Sequence, residues 1–173
     1  MNIANSIYSG AEGWVRLQEI ISEFSRTGIF ILVDENTREH CLPLLKSSCM
    51  GLDDATIIEM PGTESNKTIV SVEKIWQELV TGNAVRTSLM VCLGGGLLTD
   101  IGGFAAATFK RGINFINIPT TLLAMVDAAI GGKTGVNLNA IKNQIGVFEL
   151  PKAVFIFDEF LKTLPTRQKI SGY

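Results

Sequence analysis

The sequence predicts an α/β domain in which a parallel β-sheet carries helices on both faces. Three observations predict it. Short apolar runs recur at residues 29–33, 55–60, 88–93 and 114–118, and strands apolar along their whole length belong to parallel sheets buried on both sides. Stretches with helical spacing alternate with those runs, as crossover connections require. One run stops at three consecutive glycines, Gly94, Gly95 and Gly96, before helical spacing resumes. With 173 residues, 46% of them apolar and 18% charged, the chain has room for one domain with a sizeable core.

Taken in order, residues 11–25 place Trp14, Leu17, Ile20, Ile21 and Phe24 on one helical stripe that ends near Gly28. The first strand follows at Ile29–Val33, with Asp34, Glu35 and Asn36 at its carboxyl end. Ligands of open α/β sheets sit beyond the carboxyl ends of the strands. Asp34 and Asn36 are therefore placed to hold ribose hydroxyls, or simply to cap the helix expected over residues 37–48. Residues 55–60 read as the second strand and Pro61-Gly62 as its turn. Glu64 and Lys67 stand three apart where the next helix opens, so both could face one ligand or form an exposed ion pair. Val70, Val72, Ile75, Trp76 and Leu79 are that helix's apolar set, and Gly82-Asn83 closes it.

Residues 88–93 are the central strand. The three glycines after it let the backbone turn sharply with its N–H groups open to an oxyanion, and the first turn of the following helix favours a phosphate. Asp100 is expected in that same turn, where a carboxylate suits the helix dipole or a ligand hydroxyl. Gly94-x-Gly96-x-x-Thr99 lacks the last glycine of the dinucleotide fingerprint, and a turn needed only for packing is the plain alternative. Beyond Arg111-Gly112, the strand at 114–118 ends in Pro119-Thr120-Thr121, two hydroxyls at a carboxyl end. Asp127 then stands in an apolar helical stretch, where it needs a cation or hydroxyl in a polar pocket, or a buried pairing with Lys133. Lys133, among Gly131, Gly132, Thr134 and Gly135, is a mobile point charge suited to phosphate, although the spacing is not that of a P-loop. Lys142-Asn143 follows.

Composition narrows the function. A net charge of −2, without a basic stripe, argues against nucleic acid. The first ten residues have neither a basic start nor an apolar core and are not a secretory signal. The most apolar region, residues 115–136, is interrupted by Pro119, Asp127, Gly131-Gly132 and Lys133, so no membrane span is expected. Cys41, Cys49 and Cys92 are odd in number and lack metal-type spacing, which fits a reducing cytoplasm. His40 is the only histidine. It cannot build a multi-imidazole zinc site and reads as a surface or helix-end residue.

Gly94-Gly-Gly-Leu-Leu-Thr-Asp100, Arg111-Gly112, Ile118-Pro-Thr-Thr-Leu-Leu-Ala, Val126-Asp-Ala-Ala-Ile-Gly-Gly-Lys-Thr-Gly-Val-Asn137, Lys142-Asn143-x-Ile-Gly and Phe160-Leu-Lys-Thr-Leu-Pro165 together resemble the 3-dehydroquinate synthase family, from about Ile29 to the last residue. The resemblance implies a Rossmann-like domain of an enzyme using NAD and a divalent metal, zinc or cobalt. That enzyme turns 3-deoxy-D-arabino-heptulosonate 7-phosphate into 3-dehydroquinate and phosphate, in the shikimate pathway. NAD is reduced and reoxidised within one turnover. By matching motif, Asp34 and Asn36 would hold the adenosine ribose, and Glu64 and Lys67 would belong to the cofactor site. Gly94, Gly95 and Gly96 would receive the pyrophosphate, with Asp100, Thr120, Thr121, Lys142, Phe160, Thr163 and Leu164 lining the rest. Asp127, Lys133 and Asn143 would meet the substrate, Lys133 also the nicotinamide. Arg111 would meet the substrate phosphate, on a neighbouring subunit if the protein is dimeric like the family.

The sequence departs from the family pattern at Thr99 and Ile141, where glycine is usual, and at Gln168, where an acid is usual. It also stops early. Pro165-Thr166 begins a helix that ends after two turns at Ser171-Gly172-Tyr173, before the family's metal ligands. Residues 1–165 thus read as the cofactor domain and 166–173 as the truncated start of a helical domain. A mean hydropathy of +0.28 agrees with a domain whose partner would cover apolar surface. Such a chain is expected to bind NAD weakly and not turn over. Another sugar-phosphate cyclase and a non-catalytic nucleotide-binding module are the alternatives.

Overall fold

The computed structural model describes residues 7–139 and 141–166. β1 (Ile7–Ser9) runs into α1 (Gly10–Phe24), and β2 (Ile29–Val33) into α2 (Glu35–His40) and α3 (Leu42–Ser48). β3 (Thr56–Glu59) leads to α4 (Ile69–Thr81), and β4 (Leu89–Gly94) to α5 (Gly96–Thr108). After β5 (Asn114–Pro119) come β6 (Lys133–Leu138), β7 (Ile141–Phe148) and β8 (Ala153–Ile156). Six of these strands form one parallel sheet in the order β1-β8-β5-β4-β2-β3, and β6 and β7 pair as a separate antiparallel hairpin.

Alternation along each strand feeds two cores. Ile29, Ile31 and Val33 of β2, with Leu89, Val91 and Leu93 of β4, face Leu17, Ile20 and Ile21 of α1 and Leu42 and Leu45 of α3. Phe30, Leu32, Met90 and Cys92 point the other way, toward Val72, Ile75 and Leu79 of α4 and Leu98, Ile101 and Phe104 of α5. Every residue of β2 and β4 is buried, which is why these strands are apolar without alternation. Connections from β2 lead outward to β3 and then back across to β4 and β5. The sheet's switch point therefore falls between β2 and β4, where a crevice opens beyond the strand ends.

Several expectations need correction. The helix expected over 37–48 is two: α2 stops at His40 and α3 restarts with Pro43 in its first turn, since proline offers no N–H to continue a helix. His40 is exposed at the end of α2, as expected. Glu64 and Lys67 do not open α4. They flank a short 3₁₀ turn (Glu64–Asn66), and α4 begins at Ile69 behind Thr68, whose Oγ1 accepts from Ser71 N. Val70 is accordingly 58% exposed and outside the apolar set. β1, β8 and the β6–β7 hairpin were not expected. β1 is only three residues long. Trp14 of α1 stacks on Phe157 beyond β8, ring centroids 3.7 Å apart. The readings at Gln168 and over Ser171-Gly172-Tyr173 lie outside the described residues. Among the described residues no helix is long and apolar enough to cross a membrane.

Candidate functional site

Two adjoining clefts open at the carboxyl edge of the sheet. The first, about 280 Å³, sits at the switch point and is lined by Asp34 and Asn36 after β2, Gly95 and Gly96 after β4, and Thr120 and Thr121 after β5. Phe160, Thr163 and Leu164, from the segment after β8, complete its wall, together with His40 and Cys41. Most residues expected to hold a cofactor therefore meet in one place.

The glycines serve that place by space rather than by backbone freedom. None of Gly94, Gly95 and Gly96 has positive φ, contrary to the turn argument from sequence. A Cβ on Gly94 would come 2.3 Å from Leu98 Cδ1, one on Gly95 3.1 Å from Thr121 Cγ2, and one on Gly96 3.2 Å from Ala128 Cβ. Gly94 thus lets α5 fold back onto β4, while Gly95 and Gly96 keep the cleft floor clear. Gly95 is the N-cap of α5 and no side chain caps that end. The first-turn N–H groups of a 13-residue helix thus remain available for an anion at the dipole's positive end.

Asp34 caps α2 and also lines the first cleft. It closes a capping box on α2, its Oδ1 accepting from Thr37 N at 2.7 Å. Its other oxygen stands where a Cβ on Gly62 would be 2.9 Å away, so Gly62 keeps the cleft edge open beside it. Cys41 is buried nearby, and burial, with Asp34's negative charge, pushes its thiol up to about 11. Cys49 and Cys92 are buried and free as well.

The second cleft, about 460 Å³, lies between the hairpin and the start of α5. Asp100, Asp127, Lys133 and Asn143 line it, and Ala128 on its wall is the residue that a side chain on Gly96 would meet. Asp127 is not in an apolar helix. It sits in a single wide turn (Ala124–Ala128) with hydrogen bonds five residues apart, a form concentrated at functional sites. Asp127 is exposed to the cleft, and no pairing with Lys133 holds it in the interior. The turn is tied down by Asn117, buried on β5, whose Nδ2 donates to Ala129 O at 2.9 Å.

Asp100 is one turn further into α5 than expected, with no acid in the first turn. Burial raises its carboxyl above the ordinary range, opposed by Lys67, whose ammonium is 2.5 Å away. That pair is the main feature sequence reasoning missed. Lys67 and Glu64 do not pair with each other. Glu64 accepts from Asn137 Nδ2 at 3.0 Å and lies 3.9 Å from the exposed Lys142. Arg111 is far from both clefts in the fold, beyond the opposite end of α5 and before β5 begins. It is exposed, in a left-handed turn with Lys110 (φ 64° and 49°). Among the described residues no three His, Cys, Asp or Glu side chains gather as a metal site.

Comparison with known proteins places this geometry in a family. Residues 57–171 match the family model described as 3-dehydroquinate synthase N-terminal. A Parabacteroides distasonis protein named 3-dehydroquinate synthase is 50% identical over 157 residues, 91% of this chain and 44% of its own length. One of the same name from Ruminiclostridium cellulolyticum is 46% identical over 146 residues, 82% of this chain and 40% of its own. Among solved structures, a 2-deoxy-scyllo-inosose synthase complexed with carbaglucose-6-phosphate, NAD+ and Co2+ superposes with a TM-score of 0.85 at 27% identity, covering 96% of this chain and 46% of that one. A 2-epi-5-epi-valiolone synthase from Streptomyces hygroscopicus, with NAD+ and Zn2+ bound, gives 0.82 at 28% identity, covering 94% and 45%. The chain spans less than half the length of these relatives.

Proposed function

The chain belongs to the 3-dehydroquinate synthase N-terminal family, and from that premise we propose that it is the NAD-binding part of an enzyme converting 3-deoxy-D-arabino-heptulosonate 7-phosphate into 3-dehydroquinate and phosphate. The observation that carries this is the cleft at the switch point, where an uncapped helix start and two glycines, whose added Cβ atoms would press on Thr121 and Ala128, leave a floor suited to a diphosphate. Asp34 and Asn36 hold the adenosine ribose at one end of it. Thr120, Thr121, Phe160, Thr163 and Leu164 line its other sides. Lys142 stands by Glu64 at the hairpin.

When bound, NAD supplies reversible oxidation of a substrate hydroxyl. The chain's own residues orient the partners of that reaction. Lys133 and Asn143 on the hairpin face Asp100 and Asp127 across the second cleft, giving a cation and an amide for an anionic, hydroxylated substrate. Arg111, at the opposite end of α5, reaches a substrate phosphate only from a neighbouring copy, so the role carries a homodimer with it. No cluster of ligands for a divalent metal gathers among the described residues. The free cysteines support a reducing, cytoplasmic setting. A helical second domain would cover the hairpin, where Phe148 is 86% exposed. The chain alone therefore binds NAD+ and does not turn over; zinc-dependent phosphate release from it would contradict this.

Calorimetric titration with NAD+ tests the cofactor reading. The chain is expected to bind and Gly96→Val to weaken binding by at least about tenfold, because the new side chain occupies the diphosphate floor beside Ala128. Equal affinity in both would remove the glycine turn from the site. A second reading, a sugar-phosphate cyclase making another carbocycle, is favoured by the two solved cyclases, yet their 27% and 28% identity is well below the 50% shared with the Parabacteroides distasonis protein.

A further inference from the structure

The second cleft depends on a hairpin whose outer strand places no residue in the core, since every residue of β7 keeps substantial exposure. β6 holds the near side, with Thr134 packed against Gly103 and Val136 in the core. β7 is held by polar groups. Asn143, left-handed at φ 53°, accepts at Oδ1 from Lys67 Nζ at 2.5 Å, and its N–H donates to Asn137 Oδ1 at 2.9 Å. The same ammonium donates to Asp100 Oδ2 at 2.5 Å. Asn137 N in turn donates to Lys67 O at 2.8 Å. Lys67 is only 5% exposed, a burial that lysine tolerates when its charge is paired and its hydrogens are bonded.

We propose that Lys67 is a positioning residue for the second cleft: its ammonium ties Asn143 on the hairpin to Asp100 on α5, and so sets the span across which Lys133 and Asn143 face Asp100 and Asp127. The proposal rests on the proposed function in that this cleft receives the reacting end of the ligand. Lys67 gives two of its three ammonium hydrogens to protein acceptors belonging to different elements. Removing it frees the hairpin arm and also strips Asp100 of the counter-charge that opposes its burial, so that its carboxyl rises further above the ordinary range.

Hydrogen–deuterium exchange on the purified chain tests this. Lys67→Met is expected to speed exchange of the β6 and β7 amides by at least about tenfold, with β4 and β5 unchanged. It should also move the infrared titration of one carboxyl, the one that a further Asp100→Asn removes, to higher pH than in the unmodified chain. Asn143→Gly removes the hairpin arm without straining the left-handed backbone at that position and leaves the ion pair intact, which covers the case in which Lys67→Met fails to fold. It is expected to speed the same amides, and the double variant to exchange more slowly than the two separate effects combined would give. Unchanged hairpin exchange in both single variants overturns the proposal. So does loss of NAD+ affinity in Lys67→Met without faster hairpin exchange, which makes Lys67 a direct ligand contact. Failure of the unmodified chain to bind NAD+ counts against the proposed function alone, because the exchange result needs no ligand and still decides the role of Lys67.

Discussion

At the scale of single residues, the glycine turn shows how side-chain room rather than backbone freedom can call for glycine. None of the three adopts positive φ; a Cβ on Gly94 would fall 2.3 Å from Leu98 Cδ1, and one on Gly95 or Gly96 would press on Thr121 or Ala128 at 3.1 and 3.2 Å. Gly94→Ala should therefore cost about 1–3 kcal/mol through overpacking against Leu98. Gly131→Ala, with nothing within 4 Å of its Cβ and no positive φ, should stay within about 0.5 kcal/mol of neutral. Urea denaturation of the two variants measures both, and equal costs would contradict the steric account. Asp34, Asn36, Thr120 and Thr121 were legible because strand ends are where open sheets bind ligands. The partnership of Lys67 with Asp100 was not legible, because the two stand 33 residues apart and nothing in local spacing joins them.

At the scale of elements, β2 and β4 were readable because burial on both faces leaves them no polar positions. The hairpin was unreadable for the opposite reason. β7 is exposed along its length, so it has no apolar period, and the glycines around Lys133 suggest a phosphate contact. Two glycines of the hairpin have a structural use: Gly135 of β6 faces Gly146 of β7, and a Cβ on Gly146 would lie 2.2 Å from Thr134 O, a backbone atom that cannot swing aside. Gly146→Ala is expected to push the strands apart, to cost about 1–3 kcal/mol and to abolish exchange protection in β7 while β4 stays protected. Retained protection would show that the strands part at no cost. Helix boundaries suffered from proline in a similar local way. Pro43 divides α2 from α3, and so brings His40 and Cys41 to the rim of the first cleft.

At the scale of the whole molecule, the two clefts share a wall, since a side chain on Gly96 in the first would strike Ala128 of the second. One extended ligand can therefore lie with its diphosphate on the start of α5 and its far end between Lys133 and Asp127. This continuity was only partly visible in the sequence, where Asp127 was expected in a polar pocket or in a buried pairing with Lys133 and nothing in local spacing joined either to the first cleft. The wide turn and the hairpin bring both to one open cleft. The most direct measurement is a titration of the isotope-labelled chain by nuclear magnetic resonance, with ADP and with NAD+ in parallel. Both ligands should shift the amides of Gly95, Gly96 and Thr121, and NAD+ alone should also shift Lys133, Gly135 and Asn143. NAD+ shifts that stay within the first cleft, or that miss Gly95 and Gly96, would contradict a single dinucleotide site spanning the two.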